Sequence, residues 1–330
     1  MSLYEIETVE MHTGGEPTRI ITKGYPQLAG ATLLEKRRDA RDNHDQLRRL
    51  LMREPRGHKE MYGALLVAPD HPEADLAVLF LHNEGYSTMC GHAVLALARY
   101  ALDQGLVAAR EPETLVTIQC PCGLVPVTVE TASGQARFTS VPAFALALDL
   151  KIATESWGEV TLDLSYGGAF YAILPAKRLG LSLTATPLPD LVRVAAAVTS
   201  ATAAQCAVTH PLEPDLSFLY GTILTDGGEG RDAATRNLCV FAGDQVDRSP
   251  TGSGVTARMA LLAAREEVTP GQPFTFESIT GSRFTAGLAE RCELAGRPAV
   301  RVEVAGKAHY SGKAQFLLET DDPFPEGFLL

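Results

Sequence analysis

The sequence of 330 residues has no stretch close to the roughly 18 consecutive apolar residues that a membrane-spanning helix needs. It also has no run of Lys or Arg, and its 29 basic and 40 acidic residues give a net charge of −11. Nucleic acids and anionic membranes attract positively charged surfaces, so we expect neither as a partner. The first residues, MSLYEIETVE, lack the basic and apolar regions of a secretory leader, and we therefore expect a cytoplasmic protein.

Several motifs of cofactor and hydrolase sites are also missing. No G-x-G-x-x-G follows an early strand, and neither G-x-x-x-x-G-K-[ST] nor G-x-S-x-G occurs. The six cysteines are scattered along the chain, which favours reduced thiols over a disulfide framework. Cys120 and Cys122 are close in sequence but have no second pair at metal-ligand spacing, so we interpret them as strand cysteines. We therefore expect a small-molecule substrate, no cofactor and no metal.

Two parts of the chain follow the same plan of strand, turn, apolar helix and strand. In the first, the strand-like run 76–81 precedes Cys90-Gly91-His92, a helix over 93–104 that ends at Gly105, and a strand at 115–118. The second places a strand at 237–241, then Thr251 and Gly252, a helix over 255–267, and a strand at 274–276. Both helices are apolar nearly all round, which predicts that each forms the centre of its own domain.

Cys90 is the most informative residue because it stands at the predicted start of a helix. The partial positive charge and free N–H groups of a helix N-terminus stabilise a thiolate and can also bind a carboxylate. Cys90 is therefore a candidate base or nucleophile, although a buried cysteine is more often a small hydrophobic residue. The next residue, Gly91, permits close approach of a ligand. His92 could hydrogen-bond a substrate or could be an ordinary core histidine.

Thr251 occupies the matching position in the second half. A hydroxyl does not ionise near neutral pH, so Thr251 can form hydrogen bonds but should be a poor base. Asp247, four residues earlier, is either an ordinary turn residue or a carboxylate that binds a cationic amine. The sequence leaves both interpretations open.

Several segments spread over the chain together resemble the proline racemase family. They are MHTGGEPTRI at 11–20, MYGALL at 61–66, MCGHAVLAL at 89–97, SYGGAFYAI at 165–173, QVDRSPTGSG at 245–254 and the closing AHYSGKAQFLLETDDPF. The family contains proline racemases, 4-hydroxyproline epimerases and trans-3-hydroxy-L-proline dehydratases.

The resemblance implies an α/β fold of the α+β type with two similar domains of the diaminopimelate-epimerase kind. Each domain would be a sheet wrapped around a central helix, with the active site in the interdomain cleft. We expect the first domain to contain 1–140 and about 312–330, and the second to contain 141–311. Family members work without pyridoxal phosphate or metal and are often homodimers, so a homodimer is one expectation.

The resemblance also assigns the catalytic positions. Racemases of this family carry a cysteine at each helix start, one for each face of the substrate's Cα. Cys90 matches the first of these cysteines, whereas Thr251 replaces the second, and this Cys/Thr pair is typical of the dehydratases. Inversion needs an acid and a base on opposite faces, whereas dehydration needs only one base.

The resemblance further implies a set of binding residues. The substrate carboxylate would bind N–H groups at the two helix starts, and the ring nitrogen would contact Asp247 and His92. Aromatic side chains would wall the pocket, with a tyrosine where some racemases have phenylalanine. The carboxylate-binding residues are Gly91, His92, Gly252 and Ser253, and the aromatic residues are Tyr62 and Phe241.

The expected activity is dehydration of trans-3-hydroxy-L-proline to Δ1-pyrroline-2-carboxylate. One alternative is a hydroxyproline 2-epimerase or proline racemase, in which Thr251 or a water that it holds acts as a second acid. Another is a non-catalytic protein that binds proline analogues, although binding alone needs no thiol at a helix start. A cysteine hydrolase with His92 as its base is disfavoured, because residues two apart at a helix start do not readily face each other.

Overall fold

The protein, described from a computed structural model, divides into two compact units. The backbone is described for residues 2–330 and the side chains from Tyr4 onward. One unit contains the chain up to Ala136 together with Lys307–Leu330, and the other contains Arg137–Gly306. Each unit mixes strands with helices, so the expected α/β class with two domains is confirmed.

The first unit packs three helices against strands from both ends of the chain. Its elements are β1 (Ser2–Thr13), β2 (Glu16–Lys23), α1 (Leu33–Asn43), α2 (Asp45–Met52), β3 (Tyr62–Val67), β4 (Leu76–His82), β5 (Tyr86–Ser87), α3 (Gly91–Asp103), β6 (Glu113–Cys120) and β7 (Gly123–Glu130). Strand β1 pairs antiparallel with β2 and with the end of β17 (Arg297–Glu319), which supplies residues to both units. Strand β2 runs parallel to β3, and β4 runs parallel to β6.

The second unit is built in a similar way. It follows β8 (Gln135–Thr139) and contains β9 (Phe144–Thr154), β10 (Gly158–Tyr166), β11 (Phe170–Pro175), α4 (Leu188–Gln205), β12 (Leu219–Thr225), β13 (Thr235–Phe241), β14 (Gln245–Val246), α5 (Gly252–Ala264), β15 (Phe274–Glu277) and β16 (Arg283–Leu294). Strand β11 runs parallel to β12, and β13 runs parallel to β15. The other neighbouring pairs are antiparallel, including the β10–β11 hairpin.

The repeated plan predicted from the sequence is confirmed strand by strand. In the first unit β4 pairs with the two-residue strand β5, α3 follows, and β6 returns parallel to β4. In the second unit β13 pairs with the two-residue strand β14, α5 follows, and β15 returns parallel to β13. Each unit therefore presents the N-terminus of a helix directly after a short antiparallel strand.

Helices α3 and α5 lie in the cores of their units. Every residue of α5 from Gly252 to Ala263 is buried, and α3 is buried from Gly91 to Ala98. Both helices end in the same way, with an N–H group two residues beyond the C-cap that donates to a carbonyl of the last turn. The bond runs from Leu106 to Ala101 in α3 and from Glu267 to Leu262 in α5, and each is 2.8 Å long. Gly105 has φ +67° at the end of α3, as predicted. None of the described helices is long and apolar enough to cross a membrane.

Candidate active site

Cys90 occupies the N-cap position of α3. Its backbone is extended, with φ −146° and ψ 105°, and its carbonyl accepts the first helical hydrogen bond from the Val94 N–H at 3.0 Å. The N–H groups of Gly91 and His92 follow in the first turn, where a helix provides no intrahelical acceptor. The residue is 5% exposed. The dipole of α3 favours a negative charge at this position.

The imidazole of His92 lies against this thiol. Its Nδ1 is 3.2 Å from Cys90 Sγ, and its Nε2 is 3.1 Å from the carbonyl oxygen of Pro17. A carbonyl oxygen can only accept, so Nε2 carries the ring hydrogen in neutral His92. The lone pair of Nδ1 then faces the thiol and can receive its proton.

Residues of the segment 11–20 hold His92 in place. The Thr13 hydroxyl donates to the His92 carbonyl at 2.8 Å, and Pro17 provides the acceptor for Nε2. Both residues lie at or beside the turn between β1 and β2. The turn therefore orients the imidazole that contacts Cys90, a role that the sequence analysis did not assign to it.

The contact between Cys90 and His92 corrects one expectation. The expectation that residues two apart at a helix start do not face each other, which disfavoured a cysteine hydrolase, is wrong for Cys90 and His92. The spacing rule holds for residues inside a helix, whereas Cys90 has extended dihedral angles and turns its side chain back toward the first turn.

Tyr62 packs its ring against His92. The two ring centroids are 4.9 Å apart with an interplanar angle of 70°, and Tyr62 is buried. Its hydroxyl forms a hydrogen bond with the Ser87 hydroxyl. The phenolic oxygen is thus engaged within the protein, and a role for this ring as a pocket wall stays a prediction.

Cys120 ends β6 and is a strand cysteine as expected, whereas Cys122 lies in the two-residue turn before β7, so the expectation of a strand cysteine is wrong there. Burial raises the pKa of Cys120 well above its ordinary value, and the neighbouring Cys122 raises it further, so the Cys120 thiol stays protonated. Among residues 2–330 no group of three or more His, Cys, Asp or Glu side chains could together hold a metal ion.

Thr251 occupies the N-cap position of α5 but has a different conformation from Cys90. Its φ of +66° and ψ of 89° lie in the left-handed region, which a β-branched residue rarely adopts. Its N–H donates to the Ser249 hydroxyl at 3.1 Å, and its carbonyl accepts from Val255 at 2.7 Å. The residue is 4% exposed, and its hydroxyl has no hydrogen-bond partner in the described part of the chain. A buried hydroxyl of this kind at a helix N-terminus is a candidate ligand contact.

Asp247 lies in the loop before α5. Its Oδ1 accepts from the Ser249 N–H at 2.7 Å, and its own N–H donates to the Cys239 carbonyl at 3.1 Å. The first bond closes an Asx turn, which is the structural role considered from the sequence. Contact of this buried carboxylate with a substrate amine stays a prediction.

Phe241 ends β13 and stacks on Tyr220. The two ring centroids are 5.2 Å apart and the rings are 17° from parallel. Tyr220 in turn meets the ring of Tyr171 edge to face, with centroids 5.8 Å apart. The packing of these aromatic rings therefore holds Phe241 in place.

Gly252 and Ser253 are the first two residues of α5, as expected for N–H donors to a carboxylate. The Ser253 hydroxyl lies 2.7 Å from the hydroxyl of Tyr171. The sequence analysis missed Tyr171, although it lies inside the segment SYGGAFYAI that contributed to the resemblance.

Comparison with known proteins gives the family. A sequence model described as "Proline racemase" matches residues 8–329. The chain belongs to the proline racemase family. It is 53% identical over 98% of its length to a Homo sapiens protein named trans-3-hydroxy-L-proline dehydratase, of which the match covers 94%.

Two further relatives place the chain within this family. A Colwellia psychrerythraea protein with the same name is 42% identical over 100% of this chain and 94% of the relative. The structure of a hydroxyproline epimerase from Agrobacterium vitis with bound trans-4-OH-L-proline superposes with a TM-score of 0.93. The two chains are 32% identical, and the superposition covers 100% of this chain and 97% of the epimerase. The two-domain fold of the proline racemase family is confirmed.

Proposed function

We propose that this protein is a trans-3-hydroxy-L-proline dehydratase that forms Δ1-pyrroline-2-carboxylate and water. The observation that carries the proposal is the contrast between the two helix starts. A thiol with an imidazole at hydrogen-bond distance precedes α3, whereas a hydroxyl precedes α5. The names of the Homo sapiens and Colwellia psychrerythraea relatives support this substrate and this reaction.

In the proposed mechanism, Cys90 is the base. Its thiol proton passes to Nδ1 of His92, which faces Sγ, and the resulting imidazolium stabilises the thiolate. The thiolate then removes the α-hydrogen of the substrate. N–H groups at the helix starts, from Gly91, His92, Gly252 and Ser253, bind the carboxylate and stabilise the charge that develops on it.

Removal of the α-hydrogen and loss of the 3-hydroxyl together need neither an oxidant nor a reductant. The electron pair of the Cα–H bond forms the Cα=Cβ bond, and the Cβ–O bond breaks. The hydroxyl of the trans substrate lies opposite the carboxylate and therefore on the same face as the α-hydrogen. The proton that sulfur has gained can then protonate the departing oxygen, so that water leaves, and the enamine tautomerises to the pyrroline.

The remaining site residues have proposed binding roles. Asp247 binds the protonated ring nitrogen, and Tyr62 and Phe241 exclude water from the pocket. A contact between His92 and that nitrogen, expected from the family, would compete with the bonds of its ring to Pro17 and Cys90. The hydroxyl of Thr251 binds the substrate without acting as a base.

The proposal is tested by incubating the purified protein with trans-3-hydroxy-L-proline in deuterated water without added cofactor. Parallel reactions contain trans-4-hydroxy-L-proline and L-proline. We expect pyrroline from the 3-hydroxy substrate and no inversion of the other two. Inversion of either without pyrroline would instead identify a racemase or epimerase, and binding without any product would identify a binding protein.

Substitution of the base provides the control. We expect Cys90→Ser to lower kcat by about 10²- to 10⁴-fold, because a hydroxyl is a much weaker base than a thiolate. Cys239→Ser, at a buried cysteine in the other unit, is the matched variant and should stay active. Full activity of Cys90→Ser would reject the proposed mechanism, and a trapped acyl adduct on Cys90 would favour a hydrolase.

We further propose that the protein works in the cytoplasm and forms a homodimer, as the sequence and its resemblance to the family suggest. Sedimentation equilibrium tests the homodimer, since a monomer mass at micromolar concentration would exclude it. Fractionation of the native cells tests the cytoplasmic location.

A further inference from the structure

The segment SYGGAFYAI, which the proposed mechanism does not use, forms the end of the β10–β11 hairpin. Three of its residues contact the first turns of α5. The Ser165 hydroxyl donates to the Ala257 carbonyl at 2.9 Å, and Tyr171 meets the Ser253 hydroxyl at 2.7 Å. Gly167 lies so close to α5 that a Cβ there would approach the Ala257 nitrogen to 2.6 Å and would overlap the Ser253 carbonyl. The hairpin thus fixes the N-terminal turns of α5 from one side.

We assign Tyr171 as the donor in its hydrogen bond with the Ser253 hydroxyl. Both side chains are buried, and burial raises the pKa of Tyr171 well above 10, so its hydroxyl stays protonated. A phenol is more acidic than a serine hydroxyl and is therefore the better donor of the pair. With Tyr171 as the donor, the Ser253 oxygen accepts, and the serine hydrogen is left for a different acceptor.

The part of the chain that the structure describes offers that hydrogen no acceptor. Tyr171 is the one hydrogen-bond partner recorded for the Ser253 hydroxyl there. Ser253 is the second residue of α5, where the dipole and the free N–H groups favour an anion. A substrate carboxylate at this helix start would accept the serine hydrogen.

We propose that Tyr171 is a positioning residue that orients the Ser253 hydroxyl toward the substrate carboxylate. The inference rests on the proposed function, because it assigns the acceptor to the carboxylate of the hydroxyproline. The aromatic series from Tyr171 through Tyr220 to Phe241 holds the tyrosine ring in place.

The test is a double-mutant cycle with Tyr171→Phe, Ser253→Ala and the double variant. The measured quantities are the Kd for pyrrole-2-carboxylate, a planar ring carboxylate, and the KM and kcat for trans-3-hydroxy-L-proline. We expect Tyr171→Phe to raise Kd and KM by about five- to tenfold, with a smaller effect on kcat. In the Ser253→Ala background, the same change should have no further effect on Kd.

Tyr166→Phe is the matched control. Tyr166 is an equally buried tyrosine of the same hairpin, whose ring packs against Phe144 and Phe170, and we expect its variant to keep the wild-type Kd. An equal effect of Tyr171→Phe in both serine backgrounds would overturn the positioning role, because a structural role acts regardless of Ser253. An unchanged Kd in Tyr171→Phe, or an equal rise in Tyr166→Phe, would overturn it too.

Failure of the proposed function gives a different result. Wild-type protein that forms no pyrroline would reject the dehydratase assignment, while the Kd cycle would still decide the role of Tyr171. If the wild-type protein forms pyrroline but the effects of Tyr171→Phe and Ser253→Ala on Kd are additive, only the Tyr171 assignment is rejected.

Discussion

Thr251 combines two energetic costs in one residue. A β-branched side chain in the left-handed region and a buried hydroxyl that has no partner among the described residues each cost about 1–3 kcal/mol. Such costs persist at sites where binding or catalysis uses them. We infer that the substrate is the missing partner of this hydroxyl.

Replacement of Thr251 by cysteine tests the asymmetry between the two helix starts. We expect Thr251→Cys to gain inversion of trans-4-hydroxy-L-proline at Cα, because the new thiol adds a second ionisable group. The reaction is run in deuterated water, and chiral chromatography with mass detection measures the inverted product that carries deuterium at Cα. Thr251→Ser, which keeps a hydroxyl, should gain no inversion. Inversion by wild-type protein at the rate of Thr251→Cys would show that the hydroxyl already serves as an acid.

Single residues show where sequence reasoning succeeds and where it stops. The position of Cys90 at a helix start followed from the apolar helix after it, while its role as a base stays a prediction. Its contact with His92 did not follow, because it depends on the extended dihedral angles of the N-cap. The bond between Tyr171 and Ser253 joins residues 82 apart in sequence, and no local pattern indicates such a pair.

At the scale of elements, the two central helices and their flanking strands were predictable because each combines a strong apolar pattern with a turn. Helix α4 was not predicted, although its buried residues have helical spacing, because the many alanines between them weaken the contrast between its two faces. Helices α1 and α2 were also missed. Helix α1 is mainly polar and has weak periodicity, whereas α2 is amphipathic but spans only eight residues, which is shorter than the window in which a helical period is recognised.

The close approach of the β10–β11 hairpin to α5 predicts that Gly167 tolerates no side chain. We expect Gly167→Ala to lower the free energy of unfolding by about 1–3 kcal/mol and to raise KM, because the added methyl group would displace the first turns of α5. Urea unfolding and steady-state kinetics measure the two effects. Gly287→Ala is the control, since its methyl group would meet only the Gln272 carbonyl at an ordinary 3.6 Å. Wild-type stability and KM in Gly167→Ala would contradict the described packing.

At the scale of the whole molecule, a buried histidine links stability to pH. Burial, together with the smaller effect of the charges of Arg48 and Arg37, lowers the pKa of His82 to about 3. The unfolded chain binds a proton at His82 below about pH 6.5, whereas the folded protein does not. The stability contributed by neutral His82 is therefore complete above pH 6.5 and declines as the pH falls toward 3.

We expect the free energy of unfolding to fall by about 2 kcal/mol between pH 7.5 and pH 5.0 on account of His82 alone. Urea unfolding of the wild type and of His82→Gln over this range measures the effect. The glutamine variant should show a flatter pH dependence, whatever its stability at pH 7.5. His71→Gln, at an exposed histidine, should keep the wild-type slope. Equal slopes in all three proteins would show that His82 does not control this pH dependence.

The acceptor for His92 Nε2 is a main-chain oxygen, and this determines what saturation mutagenesis can detect at this contact. No side-chain substitution deletes the carbonyl group of residue 17, so a library can miss the importance of this contact even though it selects the tautomer of the imidazole. Replacement of the peptide bond after Pro17 by an ester would weaken the acceptor and leave every side chain in place. The feature is therefore encoded in the path of the backbone, and genetic screens will detect it mainly through changes in neighbouring residues that move the β1–β2 turn.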